Sequence, residues 1–143
     1  MAFYKKDMKV KNRVKTHQDF QKVINAKISV ANKTYVLYHQ ENDLGYSRIG
    51  ISTSKKLGNA VIRGRIRRQV RVIAKTVIGL ENSEDYVIIV RKEYLKGDFL
   101  KNQEELRQLY IKTKKDVLVK MRDDFLLFDN LFQYLFEHYK HKY

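Results

Sequence analysis

The stretch RIGISTSKKLGNAVIRGRIRRQVRVIAKTV, Arg48 to Val77, passes from a strand pattern through a loop into a helix pattern. SRIGIST has the β-branched composition of a strand. SKKLGN reads as a loop, and Asn59 is a good N-cap for a long helix from Ala60 to about Val77. On a wheel of roughly 100° per residue with Ile62 at zero, Ile66, Val70, Ile73 and Val77 fall within about the first 80°. That apolar stripe can face a sheet. Arg63, Arg65, Arg67, Arg68 and Arg71 fan across roughly 100° to 300° of the same wheel. From Ser54 to Lys75 there are eight basic residues and no acidic one.

Downstream, DYVIIVRK (85–92) predicts a strand whose continuous apolar run suggests burial on both faces, and a last helix should begin near Asp98. Upstream, Thr16 is placed to cap a first helix running to about Lys27, with Asp19 beside its first-turn amides and Phe20, Val23 and Ile24 at helical spacing. From Ile28 to about Gln40 the pattern is extended around TYVLY, as one long strand or a strand pair, and ENDLGY then reads as a turn. The order is helix, strand or strand pair, strand, helix, strand, helix. This predicts an α/β (α+β sandwich) fold with helices packed on one mixed sheet.

The 143 residues suit one ordinary domain. Thirty Lys plus Arg against sixteen Asp plus Glu give a formal charge of +14, an excess that calls for a polyanion nearby. Nucleic acid is the first candidate and an anionic membrane surface the second. There is no cysteine, which excludes disulfides and thiolate metal sites. The first twenty residues carry a basic arm, Lys5, Lys6, Lys9, Lys11, Arg13 and Lys15, with no apolar run after it that could serve as a secretory signal. Nor are there about eighteen consecutive apolar residues that could span a membrane. A soluble, cytoplasmic protein is expected.

The arginine run admits a bland explanation, a solvated charged face. A helix made for solubility mixes Glu with Lys at i,i+4, whereas Arg63, Arg67 and Arg71 place like charges at that spacing and accept their repulsion. Phosphate would remove the cost, and the planar guanidinium fork suits phosphate better than an ammonium does. Gly64 is unusual inside a helix, where it costs about 1 kcal/mol relative to Ala. Close approach of a nucleic-acid backbone and drift at an exposed site explain it equally well. His17, His39, His138 and His141 form no metal motif, and no Ser or Cys nucleophile set is evident.

The blocks DFQKVI, SVANKTYVLY, RIGISTSKKLGNAVIRGRIRRQVR and DYVIIVRK, in that order, resemble the protein component of bacterial ribonuclease P over roughly Val10 to Leu118. The most specific part, SKKLGNAVIRGRIRRQVR, is similar to that family's basic motif on its second helix. The resemblance implies a mixed four-stranded sheet, a left-handed β-α-β crossover and a ribosomal-protein-like fold. It also implies two RNA surfaces. One contacts the catalytic RNA through Lys55, Lys56, Asn59, Arg63, Arg65, Arg67, Arg68 and Arg71. The other is a cleft for the 5′ leader of precursor tRNA, formed by Phe20, Ile24, Val36, Tyr38 and Ser52. From spacing alone, Phe20, Val23 and Ile24 would be an ordinary core stripe.

By the same resemblance, no protein residue is catalytic, and Mg2+ is held mainly by the RNA. Partners are the catalytic RNA and precursor tRNA, with no membrane and no small-molecule substrate. The family usually has Asn where this chain has Gly64, and commonly Phe where it has Ile24. Two other functions compete: a ribosomal or RNA-chaperone protein of similar fold, and a metal-dependent nuclease using carboxylates such as Asp85 and Asp98.

Domain organisation is expected as residues 1–118, with the basic N-terminal arm, followed by residues 119–143 as an amphipathic helical extension. In the extension, Phe125, Phe128, Phe132, Leu135, Phe136 and Tyr139 recur at helical spacing.

Overall fold

A computed structural model describes residues 8–125, with side chains described through residue 115. Its elements are α1 (His17–Asn25), β1 (Ser29–Ala31), β2 (Tyr35–Glu41), β3 (Arg48–Thr53), α2 (Ala60–Val77), β4 (Glu84–Val90) and α3 (Phe99–Phe125). The chain divides into two units, Met1–Tyr110 and Ile111–Tyr143, and the first holds the whole sheet, α1, α2 and the start of α3. The boundary expected at 118/119 falls within α3, and the aromatic series of the extension lies outside the residues whose side chains are described.

Each helix starts where a short polar side chain satisfies an orphan amide. Thr16 accepts from Asp19 N and Asn59 from Ile62 N, while Asp98 Oδ1 accepts from Lys101 N at 2.8 Å. The first helix ends at Asn25, short of the expected Lys27, because Lys27 takes a positive φ of 59° that no α-helix continues through. The extended segment is a strand pair. Asn32 breaks it by accepting from the amides of Thr34 and Tyr35 at 2.9 and 2.8 Å, a turn that folds β1 back on β2.

The sheet order is β1-β2-β4-β3. β1/β2 and β2/β4 are antiparallel, and β3/β4 are parallel neighbours connected through α2. Side-chain alternation gives the sheet two faces. Tyr35, Leu37, Ile49, Tyr86, Ile88 and Val90 form one, and they bury against Ile66, Val70, Ile73 and Ala74 of α2 and Leu106 and Leu109 of α3. The α2 stripe lies where the wheel places it, with Ile62 and Val77 as its partly buried ends. The opposite face carries Val36, Tyr38, Val87, Ile89, Gly50 and Ser52 in register. Among the described residues α1 packs on it, against β2 and β4. β4 is buried at every position except Ile89, as its apolar run predicts.

Candidate nucleic-acid interface

The fold divides the expected RNA-binding residues between two places. On α2, burying the Ile and Val stripe turns the arginines outward. Arg65 and Arg68 are exposed, and Arg63, Arg67 and Arg71 are half-buried. None of the five is ion-paired with a carboxylate among the described residues. Arg67 reaches over the end of β3, where its Nη1 donates to Thr53 Oγ1 at 2.7 Å. Among the described residues, Arg63 Nε is buried without a hydrogen-bond partner. Arg65 makes itself felt at Tyr94, whose hydroxyl is pushed up to about 12 by burial, with the Asn102 hydrogen bond and the Arg65 charge pulling the other way.

Lys55 and Lys56 are exposed on a 3-10 turn just ahead of α2, anchored by the buried Leu57. They extend the same cationic surface past the helix start. Asn59 has a structural duty as well, since its Oδ1 is the α2 cap. Eight of the residues singled out in the sequence therefore lie on α2 or on the turn and cap that lead into it.

Gly64 is not required by the fold. A Cβ there would meet only the guanidinium tips of Arg68 and Arg67, at 3.5 and 3.8 Å. Gly64→Ala should accordingly raise stability by about 1 kcal/mol, the helix-propensity difference, as read from the urea midpoint. A loss of stability would mean that the helix is constrained in a way this geometry does not explain.

The second place is the sheet face under α1. Phe20, Ile24, Val36, Tyr38 and Ser52 are all half-buried and all belong to this face or to the helix beside it. The register places Val36 and Ser52 on either side of Ile89, and Tyr38 beside Val87. Ile89 completes the half-buried row and was missed in the sequence, because nothing within a continuous apolar run marks which side chain faces α1. Phe20 lies directly over Gly50, where a Cβ would fall 2.6 Å from its Cζ. That contact sets how deep the ring sits. Gly50→Ala should displace Phe20 and cost about 1–3 kcal/mol by overpacking, measured by thermal unfolding. An unchanged melting temperature would show the ring to be loosely held.

A charged clip secures the helix end of this face. Arg48 binds Asp85 bidentately, Nε to Oδ1 at 2.9 Å and Nη2 to Oδ2 at 2.6 Å, and its Nη1 reaches Asp19 Oδ2 of α1 at 3.2 Å. The Asp85 hydrogen bond, opposed by burial, holds the guanidinium above its ordinary range. Asn42 Nδ2 also donates to Asp85 Oδ1 at 2.7 Å. Asp85 is thus fully engaged, and Asp98 serves as the α3 cap, so neither carboxylate is set up for hydrolysis. Among the described residues no group of His, Asp or Glu is arranged to hold a metal ion, and no helix is long and apolar enough to cross a membrane.

The chain is similar to known proteins over most of its length. The Ribonuclease P family model matches residues 8–114. The ribonuclease P protein component of Mesoplasma florum is 41% identical over 110 residues, covering 76% of this chain and 100% of that protein. That of Bacillus velezensis is 38% identical over 107 residues, covering 74% and 92%. The structure of the Staphylococcus aureus RNase P protein matches with a TM-score of 0.65 at 34% identity, covering 72% of this chain and 95% of that one. For the Thermotoga maritima RNase P protein the values are 0.61, 32%, 68% and 94%.

Proposed function

We propose, from the premise that this chain belongs to the ribonuclease P protein family, that its α2 face grips the catalytic RNA while the cleft between α1 and the sheet holds the 5′ leader of precursor tRNA. The chain is the RNA-binding protein subunit of a ribonucleoprotein endonuclease. The observation that carries the assignment of the two faces is the set of five α2 arginines with no carboxylate partner among the described residues. An internal carboxylate would have neutralised them; a phosphate backbone does so on binding, with release of condensed cations.

The leader reading rests on an apolar, half-buried row that one helix leaves open. Unpaired bases gain about 1–3 kcal/mol each by stacking on an aromatic ring, with little regard to sequence. Phe20 and Tyr38 offer such rings, which suits a protein that accepts many leaders. Ile24 offers contact without stacking.

No cluster of ligating side chains on the protein fits a metal ion among the described residues. We assign the metal chemistry, for which our reading is Mg2+, to the RNA, where a bound ion would supply water activation. The chain's own part is substrate grip and positive charge that lets crowded phosphates come together. A cytoplasmic location follows from the same reading.

Reconstitution tests the proposal. Purified protein alone should leave precursor tRNA intact, and adding cognate catalytic RNA should give leader removal at moderate magnesium. RNA binding with no effect on cleavage would favour a chaperone role, and cleavage after complete removal of RNA would favour a protein nuclease.

A further inference from the structure

The basic N-terminal arm has a place in the fold outside both the α2 face and the cleft under α1. Among its described residues, Asn12, Arg13 and Val14 run along the free edge of β3. Val14 N donates to Ile49 O at 3.0 Å, Arg13 bridges Ile49 in parallel, and Asn12, only 4% exposed, donates from Nδ2 to Ser47 O at 2.8 Å. This buried asparagine fixes the segment so that Lys9 and Lys11 stand beside the turn between β2 and β3. There Lys11 Nζ lies 5.1 Å from the centre of the Tyr46 ring, a cation–π contact that holds the ammonium in position.

Lys9, Lys11, Tyr46 and Lys75 line one pocket of about 290 Å³, and among the described residues Glu81 is the carboxylate that lines it. Lys75 comes from the last turn of α2. Arg63, Arg67, Arg71 and Lys75 succeed one another at i,i+4, so they lie along one ridge of the helix. At 1.5 Å per residue the ridge is about 18 Å long from Arg63 to Lys75. The pocket sits at its far end. Lys9 and Lys11, both exposed, bring two cations beside Glu81 and the end of α2, and so give the pocket an excess of positive charge that attracts a further anion.

We infer that this pocket is a second phosphate-binding site for the catalytic RNA, taking a phosphodiester of the strand that tracks the α2 ridge. The inference rests on the proposed partnership with that RNA and adds a contact about 18 Å from the first of the motif arginines. The arm is then part of the RNA interface, and the buried Asn12 is what aims it.

The test is the salt dependence of binding between the full chain and cognate catalytic RNA. Each phosphate contact contributes about 0.7–0.9 to the slope of log affinity against log salt. Lys9→Ala with Lys11→Ala should therefore lower the slope by roughly 0.7–0.9, and Lys9→Arg with Lys11→Arg should retain it. Both lysines are exposed, and circular dichroism checks that each variant is folded. Hydroxyl-radical footprinting should show the alanine pair exposing catalytic-RNA nucleotides different from those exposed by loss of Arg63, Arg65 and Arg68. An unchanged slope in the folded alanine pair overturns the inference, as does an effect confined to precursor tRNA binding or an identical footprint. If the arginine variant flattens the slope and the lysine pair does not, this site alone fails; if neither does, the reading of α2 fails with it.

Discussion

Replacing Arg63, Arg65 and Arg68 together with alanine should weaken binding to the catalytic RNA by about three orders of magnitude at moderate salt. Each charge-assisted hydrogen bond contributes at least about 1.5 kcal/mol, and about 1.4 kcal/mol is a factor of ten. The salt slope should fall by roughly 2–2.7 as three phosphates lose their counter-cations. Folding should not suffer. Arg65 and Arg68 are exposed, none of the three has a carboxylate partner among the described residues, and the buried Arg63 Nε is already without a hydrogen bond. Filter binding across a salt series, with a urea melt in parallel, reads both quantities. A fall in stability with an intact slope would make the arginine face structural.

Tyr38→Ala should reduce affinity for precursor tRNA by about 5- to 150-fold, the loss of one base-stacking contact of about 1–3 kcal/mol, and leave affinity for mature tRNA unchanged. Tyr38 tests this more cleanly than Phe20. The Phe20 ring packs on Gly50, so its removal would also disturb α1, whereas Tyr38 stands half-buried on the sheet itself. The ratio of precursor to mature affinity, measured with the assembled holoenzyme, separates leader contact from any general loss of folded protein. Equal losses for the two substrates would remove the leader from this face.

What could be read from the sequence was what is local. The caps at Thr16 and Asn59 and the α2 stripe depend on neighbours within a few positions, and each is in place. The split of the first extended segment depends on Asn32 bonding to two amides ahead of it, a turn signal that the β-favouring residues around it obscured. The Arg48 clip joins residues 29 and 37 positions apart. In the sequence its parts appeared only as a helix-start acid, a strand residue and a candidate nuclease carboxylate.

The candidate site was legible to different degrees for the same reason. A helix displays its outward face through its own period, so the arginine fan was visible before any tertiary contact was known. The cleft depends on strand register, which no single strand encodes. Spacing alone would make Phe20 and Ile24 core, and only the family resemblance set them in a cleft; Ile89 was hidden among equally apolar neighbours. The basic arm could be seen, but its anchoring could not, because that requires knowing that β3 is an edge strand.

Site-specific cross-linking in the assembled complex tests most directly whether the two faces hold two different RNAs. With a photo-reactive residue at Val36 the account predicts cross-links to leader nucleotides of precursor tRNA; with one at Arg68 it predicts cross-links to the catalytic RNA. Leader cross-links from Arg68 with none from Val36, or no catalytic-RNA cross-link from Arg68, would contradict it.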